Sequence, residues 1–408
     1  MSAPTFGMTF TRPETEPVPV LGADFSKALL IETSADATAE IYPIDTPVRI
    51  STSDPIAVAG LGTGLLADAV KGINDQLTTG ADVIVVRVTE GGTVAETVAS
   101  IVAVLEDVAA IPPAVGATPR LVWAGRTAAQ LVDAEEAPIA NPVLTALPAA
   151  CEKLLAIAVV DLDDTSTAIT LAQREEINSP RVLPVGIAAK VLVDDVAVTR
   201  PMGPRVLGLF MREDFGRGGL PFDPIANRVV NGLVGLSRDL PFSLLDGSTE
   251  GQQLLEGNVS IVTRGERGVD AAVADGGFVF IGTDGAGTGE LWRQIHQVRG
   301  ADYLTVKIMA ITRSFLGRRI SGDLVEAWLN SLKFMLRDHK AANDILGYDV
   351  QFIADQNSPE QIRLGRLKVD LAVEPAPAFR LAQHDVRRYR PAVEGLVADI
   401  VARLSSAA

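Results

Sequence analysis

The chain has 408 residues, a formal charge of −15 and a hydrophobic fraction of 47%. That length exceeds one simple core and predicts two or three domains, and so much apolar residue excludes global disorder. The acid excess argues against general nucleic-acid binding, which needs clustered cations, and the single cysteine, Cys151, excludes a disulfide within the chain.

Reading begins at Met1-Ser2-Ala3-Pro4, which lacks the basic and apolar regions of a secretory signal. No apolar run is long enough to span a bilayer, so a soluble protein made in a cytoplasm is expected. Pro4, Pro13, Pro17 and Pro19 then impose extended backbone on residues 1–22. Such a segment is either a frayed tail or an arm that adds a strand to a neighbouring subunit.

Lys27 to Glu32 predicts a buried strand, Pro47 to Ile50 a second one, and Asp54-Pro55 a loop or helix start. A glycine turn, Gly60-Leu61-Gly62-Thr63-Gly64, follows an apolar strand and leads into a helix carrying Leu65, Leu66, Ala69, Val70 and Ile73. Val83 to Val88 is a β-branched run of the kind buried on both faces of a sheet. Helix is predicted for Val94 to Val108, strand for Arg120 to Trp123, helix for Val143 to Leu154, and strand for Ala156 to Val160. This alternation predicts a largely parallel α/β layer.

From Arg181 to Gly208 the pattern reads as strand and turn, and Arg212 to Asn231 reads as an irregular connection. Gly257 to Thr263 and Gly277 to Ile281 predict a hairpin-like pair, followed by a glycine loop to Gly289. Long helices are expected over Glu290 to Leu316 and Asp323 to Leu346, and strands over Tyr348 to Ile353 and Arg366 to Val373. Glu374-Pro375-Ala376-Pro377-Ala378 must be extended, because each proline restricts itself and the residue before it. Arg390 to Leu404 predicts a closing helix, and no internal repeat is present.

The residues that could carry chemistry are few. Gly60 to Gly64 is G-x-G-x-G, with Leu65 where a dinucleotide fingerprint needs its third glycine, and no Gly-Lys-Ser/Thr accompanies it. A tight turn is the simpler reading. Asp161, Asp163 and Asp164 sit at the carboxyl end of a strand, where metal ligands often lie, but a solvated loop with a helix cap at Thr165 or Ser166 accounts for them equally. His296, His339 and His384 are far apart and lack metal-type spacing, Cys151 reads as a buried inert thiol, and no nucleophile elbow occurs. No catalytic residue, cofactor site or metal site is expected. The last third does hold a cationic stripe: Lys333 and Arg337 are i, i+4, and Arg337 and Lys340 are i, i+3. Leu329, Leu332, Leu336 and Ile345 can form the buried side of the same helix.

Several stretches, taken in order, resemble the tail sheath family of contractile phages, tailocins and related injection machines. Residues 60–92 (GLGTGLLADAVKGINDQLTTGADVIVVRVTEGG) are similar to the family's early turn, helix and V-V-V-R-V strand. Asn141 to Asp161, Asp223 to Arg238 (DPIANRVVNGLVGLSR), Gly257 to Gly282 and Arg366 to Tyr389 resemble later family segments, the last being an L-x-V-D-x-x-x-P-x-P arm. Two departures stand out. Phe278 to Thr283 lacks the Trp and Arg of a W-G-x-R-T ending, and the usual double arginine of the next helix is reduced to Arg299-Gly300.

The resemblance implies a mixed α/β (α+β), multi-domain sheath subunit. Its inner domain is built from both chain ends, its outer α/β region is inserted, and its terminal arms are extended. The implied divisions are an N-terminal arm at 1–22 and an outer region at 23–256, itself divisible into 23–180 and 181–256. An inner, tube-proximal domain follows at 257–373, and a C-terminal arm and helix at 374–408. Implied partners are further copies in stacked hexameric rings, a tail tube protein, and baseplate and tail terminator proteins, with neither nucleic acid nor membrane insertion involved. The implied location is a virion tail or tailocin particle assembled in a host cytoplasm. Lys333, Arg337 and Lys340 become tube-contact candidates, and Phe6, Val18, Val20, Pro375, Pro377 and Phe379 become inter-subunit arm candidates. The alternatives are an α/β enzyme of unknown class and another self-assembling tube or shell protein.

Overall fold

The computed structural model describes residues 23–133 and 136–406. It divides into two compact units, residues 1–376 and 377–408.

The first unit begins with β1 (Ala28–Thr33) and β2 (Pro47–Ser51), then α1 (Pro55–Gly60), α2 (Leu65–Asn74) and β3 (Asp82–Val88). Next come α3 (Val94–Glu106), α4 (Ile111–Val115), β4 (Leu121–Ala124) and a small ribbon of β5 (Leu131–Val132) and β6 (Pro138–Ile139). They are followed by α5 (Pro142–Leu154), β7 (Ile157–Asp161), α6 (Thr167–Glu175) and β8 (Val182–Val185). Six strands form one sheet in the order β2-β3-β1-β4-β7-β8, parallel except for β2.

Period-two alternation sends successive side chains of this sheet to opposite faces, and both faces are covered. Leu30, Val85, Trp123 and Val159 pack with Leu66, Val70 and Ile73 of α2 on one side. Leu29, Ile31, Val86 and Val160 pack with Val98, Ile101, Leu144 and Leu147 of α3 and α5 on the other. Helix starts are locally encoded: Thr93 and Glu96 form a reciprocal capping box at α3, Asn141 caps α5, and Ser166 caps α6.

The chain continues through β9 (Ala189–Val193), β10 (Val196–Arg200), α7 (Gly203–Gly216), β11 (Arg228–Val229), β12 (Gly235–Leu236), α8 (Glu250–Glu256), β13 (Ile261–Arg264) and β14 (Phe278–Ile281). The hairpin-like pair expected near 260 and 280 is β13 against β14, antiparallel. These strands bury Ile261, Val262 and Phe280 in the two cores of the large sheet.

Helix α7 corrects the sequence reading, which had strand, turn and irregular connection across it. Gly203, Pro204 and Gly208 look like helix breakers but have other uses here. Pro204 stands in the first turn, where its missing N–H is not needed. Gly208 permits close approach: a Cβ there would lie 2.7 Å from Cγ of Gln76 and 2.9 Å from the carbonyl oxygen of Ile73 on α2. Arg205, fully buried, forms a two-pronged pair with Asp68 of α2 at 3.1 Å per bond.

The remainder of the first unit is a smaller lobe. It holds α9 (Ile295–Arg313), α10 (Gly322–Ala341), β15 (Ile345–Gln351), α11 (Pro359–Arg363) and β16 (Asp370–Pro375). β15 and β16 form a two-stranded antiparallel sheet. Phe25, Phe222, Tyr303, Leu304, Leu336, Ile345 and Val350 make its core. The predicted helix to Leu346 stops at Ala341; Asn343 then takes a left-handed φ of 62° and turns the chain into β15. Ile345 is therefore buried from a strand and not from α10. In the second unit, α12 (Arg390–Ser406) forms as expected.

Candidate functional site

The smaller lobe carries the cationic stripe. Lys333, Arg337 and Lys340 are all exposed on α10, while Leu332 and Leu336 are fully buried on its other side and Leu329 packs beside them. Arg337 lies 3.5 Å from the neighbouring Asp338 and 5.0 Å from the Phe334 ring centroid. Helical spacing places the three cations on one face, and all three side chains are exposed.

Where the first unit ends, two residues of α9 hold the chain. His296, only 3% exposed, places Nε2 at 3.2 Å from the carbonyl oxygen of Ala376, and Gln297 donates to that of Pro375 at 3.5 Å. A carbonyl can only accept, so Nε2 carries the proton, and Nδ1 is buried with no hydrogen-bond partner among the described residues. Burial pulls the His296 pKa below its ordinary value, against the bond to Ala376. Of the arm candidates, Pro375 ends β16 opposite Ile345. Pro377 and Phe379 belong to the second unit, where Phe379 is 89% exposed. Phe6, Val18 and Val20 lie outside the described residues.

A row of ion pairs ties the smaller lobe to the large sheet and its helices. Arg299 of α9 donates two bonds to Asp214 of α7, at 3.1 and 2.6 Å, and one to the Phe25 carbonyl at 3.3 Å. Both partners of this pair are nearly inaccessible, and the guanidinium sits 4.7 Å from the Phe210 ring centroid. Burial pushes the Asp214 carboxyl up to about 6 despite Arg299. Arg181, beside β8, forks onto Asp302 of α9. Arg217 bonds Asp344 at 2.6 Å, and His339 reaches the other oxygen of the same carboxylate at 2.7 Å. Burial acts to raise the Asp344 pKa, but the bonds from His339 and Arg217 outweigh it and hold the group below its ordinary value. Sequence reading missed these residues, having noted Arg299 only as a remnant of a double arginine. Charged residues inside an otherwise apolar helical pattern were the available signal.

The candidate chemical groups are absorbed by structure. Asp161 accepts bonds from Trp123 Nε1 at 2.9 Å and from the backbone N–H groups of Met202 and Gly203 at 2.7 Å each, so it anchors the entry to α7. Burial raises its pKa above the usual carboxylate value. Asp163 turns back onto Thr165, and Asp164 accepts from Ala188 and Ser237. Among the described residues, no group of three metal-ligating side chains comes together. Cys151 is inside the core and burial pushes its thiol up to about 12. The glycine turn at Gly60 to Gly64 joins helix α1 to α2 and does not follow a strand, which corrects the reading above. Its Thr63 is held by Asp36 through N–H and hydroxyl bonds of 2.9 and 2.6 Å.

No family model matches the chain. It is 24% identical over 368 residues to the tail sheath protein of Escherichia phage P2, covering 85% of this chain and 86% of that one. It is 26% identical over 252 residues to a protein described as a prophage major tail sheath protein of Pseudomonas aeruginosa (strain UCBPP-PA14). That match covers 60% of this chain and 62% of the relative, under two thirds of its length. In fold, the chain resembles the helical sheath of the anti-feeding prophage in its contracted state, with TM-score 0.62 and 14% identity over 95% of this chain and 99% of that one. The contracted sheath complex of the extracellular contractile injection system PVC gives TM-score 0.64 and 14% identity over 93% and 98%. By sequence over most of its length the chain is similar to the P2 tail sheath protein, and over nearly all of it the fold is similar to that of contracted sheath structures.

Proposed function

We propose that the chain is the structural subunit of a contractile tail sheath, which polymerises as stacked hexameric rings around a tail tube and contracts to drive that tube through a host envelope. The observation that carries this reading is the coincidence of two matches: sequence kinship to the P2 tail sheath protein over 85% of the chain, and the fold of sheath subunits captured contracted over 95%. Its role is to assemble and rearrange. The proposed inner region is 257–373, with the outer region at 23–256, and segments 1–22 and 374–408 as linking arms between copies. The two-stranded sheet supports this, because strands with free edges invite further strands. Backbone bonds made that way travel with the strand, so such linkages survive a large rigid-body motion.

Beyond self-association, the proposed partners are the tube, the baseplate and the tail terminator. Lys333, Arg337 and Lys340 form the proposed tube contact. Exposed ion pairs contribute only about 0–1 kcal/mol each and are screened by salt, which suits a contact that must release during contraction. Contraction draws on packing between subunits and needs no nucleotide.

Negative-stain microscopy of the chain expressed with and without its tube protein tests the reading. Striated sheaths on tubes, or short wide contracted sheaths without them, are expected. A compact particle that forms no polymer under either condition overturns it.

A further inference from the structure

Asn231-Gly232 is the only Asn-Gly step in the chain. It lies between β11 and β12, and both residues are exposed to water. The chemistry of such a step follows from what its second residue lacks. The side-chain amide carbon of an asparagine can be attacked by the backbone nitrogen of the next residue, and a Cβ on that residue obstructs the approach. Here a Cβ is excluded twice over. Gly232 has a φ of 77°, which residues with side chains rarely adopt, and a Cβ on it would lie 2.5 Å from Oδ2 of Asp75.

Two neighbours at the end of α2 prepare the reaction. The buried Gln76 grips the backbone of Asn231 from both sides: its Nε2 donates to the Asn231 carbonyl oxygen at 2.9 Å, and its Oε1 accepts from the Asn231 N–H at 2.8 Å. The first of these bonds draws electron density out of the peptide that joins Asn231 to Gly232, and so makes the Gly232 N–H more acidic. That N–H donates no hydrogen bond among the described residues, which leaves its nitrogen uncommitted. The Asp75 carboxylate, paired with Lys71 at 2.8 Å, lies against the same glycine, where it can take the proton.

We propose that Asn231 is a site of spontaneous covalent modification, at which the fold assists closure of a succinimide ring. The Gly232 nitrogen attacks Cγ of Asn231 and gives its proton to Asp75. That proton is then delivered to the departing side-chain nitrogen, which leaves as ammonia. One C–N bond forms and one breaks, and nothing is oxidised or reduced. Water opens the ring at either carbonyl and leaves aspartate or isoaspartate. Either product adds a negative charge beside Asp75 in a chain already at −15. Isoaspartate also carries the backbone through Cβ, which displaces Gly232 from Asp75 and loosens the grip of Gln76 on the segment between β11 and β12. The modification is independent of the sheath role and needs no partner.

Peptide mapping by mass spectrometry tests it on the purified full chain, incubated at mildly alkaline pH both folded and unfolded in urea. Asn231 is expected to convert ahead of every other asparagine, severalfold faster in the folded chain than in the unfolded one, with isoaspartate among the products. Asp75→Asn should slow the folded chain severalfold and leave the unfolded rate unchanged, which separates the fold's contribution from that of the Asn-Gly sequence. Lys71→Ala, at an exposed position, frees Asp75 from its ion pair and should speed the folded chain; it serves where Asp75→Asn fails to fold. A folded rate at or below the unfolded one means that Gln76 holds the amide away from attack, and overturns the proposal. Conversion that neither variant alters overturns it too, because the step then owes nothing to Asp75.

Discussion

The six-stranded sheet and the two-stranded sheet finish their work differently. Every residue of β1, β4, β7 and β8 is buried, and helices cover both faces. β16 instead alternates exposed and half-buried positions, and β15 buries only Ile345 and Val350. The first closes its core within one chain. The second stops at two strands, near the limit of what a ribbon sustains, and relies on α9 and α10 for its buried side. The difference separates a region whose core is complete within one chain from one whose strands leave alternate positions exposed.

The seam between these regions should be the most sensitive point. Arg299→Met leaves the buried Asp214 unpaired and is expected to cost about 3–5 kcal/mol in denaturant unfolding of the unassembled subunit. Adding Asp214→Leu should recover much of that, because the cost lies in the orphaned charge; a double variant no better than the single one would show that packing, not the pair, joins the lobes. Asp161→Ala strips one acceptor from three buried donors and should cost about 3 kcal/mol by the same measurement, at the ordinary penalty for unpaired buried groups. Gly208→Ala forces α7 off α2 and should cost about 1–3 kcal/mol, as overpacking does. A neutral result there would mean that the α2–α7 contact is loose and that the large region is less finished than its burial implies.

Acid should loosen the exit of the C-terminal segment. His296 has a pKa lowered by burial, so the unfolded state binds its proton more readily. Its stabilising contribution is therefore complete above the unfolded value near 6.5 and is lost as pH falls below it. Asp214 acts oppositely: its raised pKa makes the folded state the better proton acceptor between about 4 and 6, so acidification there favours folding. Comparing wild type with His296→Gln from pH 7.5 to 5 isolates the histidine. The variant should lose less stability over that range; equal slopes would place the sensitivity elsewhere. The smallest effect on folding is expected from reversing Lys333, Arg337 and Lys340 to Glu, about 0.5 kcal/mol or less per site for exposed positions. Coating of tubes should nevertheless fail in that variant, and wild-type coating should weaken with salt. Normal coating together with salt insensitivity would remove α10 from the tube contact.

The parallel layer was legible because its signals are local or short-period. The Val83 to Val88 run and the helix cap at Ser166 each act within a few residues. The cationic stripe was legible for the same reason, since helical spacing alone places three side chains on one face. Helix α7 was not legible. Its glycines and Pro204 mean "break" by propensity, and only the neighbouring α2 makes Gly208 a contact surface and only Asp161, 41 residues before Met202, makes its entry a capped one.

By itself, then, the amino-acid order determined the α/β alternation, the extended backbone leading to Pro375 and the order of segments similar to those of sheath proteins. Tertiary structure decided which charges are buried and which are free. Arg299 and Arg337 look alike in sequence, two arginines on amphipathic helices, yet one is sealed against Asp214 and Phe210 and the other faces solvent. Burial of a charge depends on a partner distant along the chain arriving with matching geometry, and no periodicity within either helix records that partner.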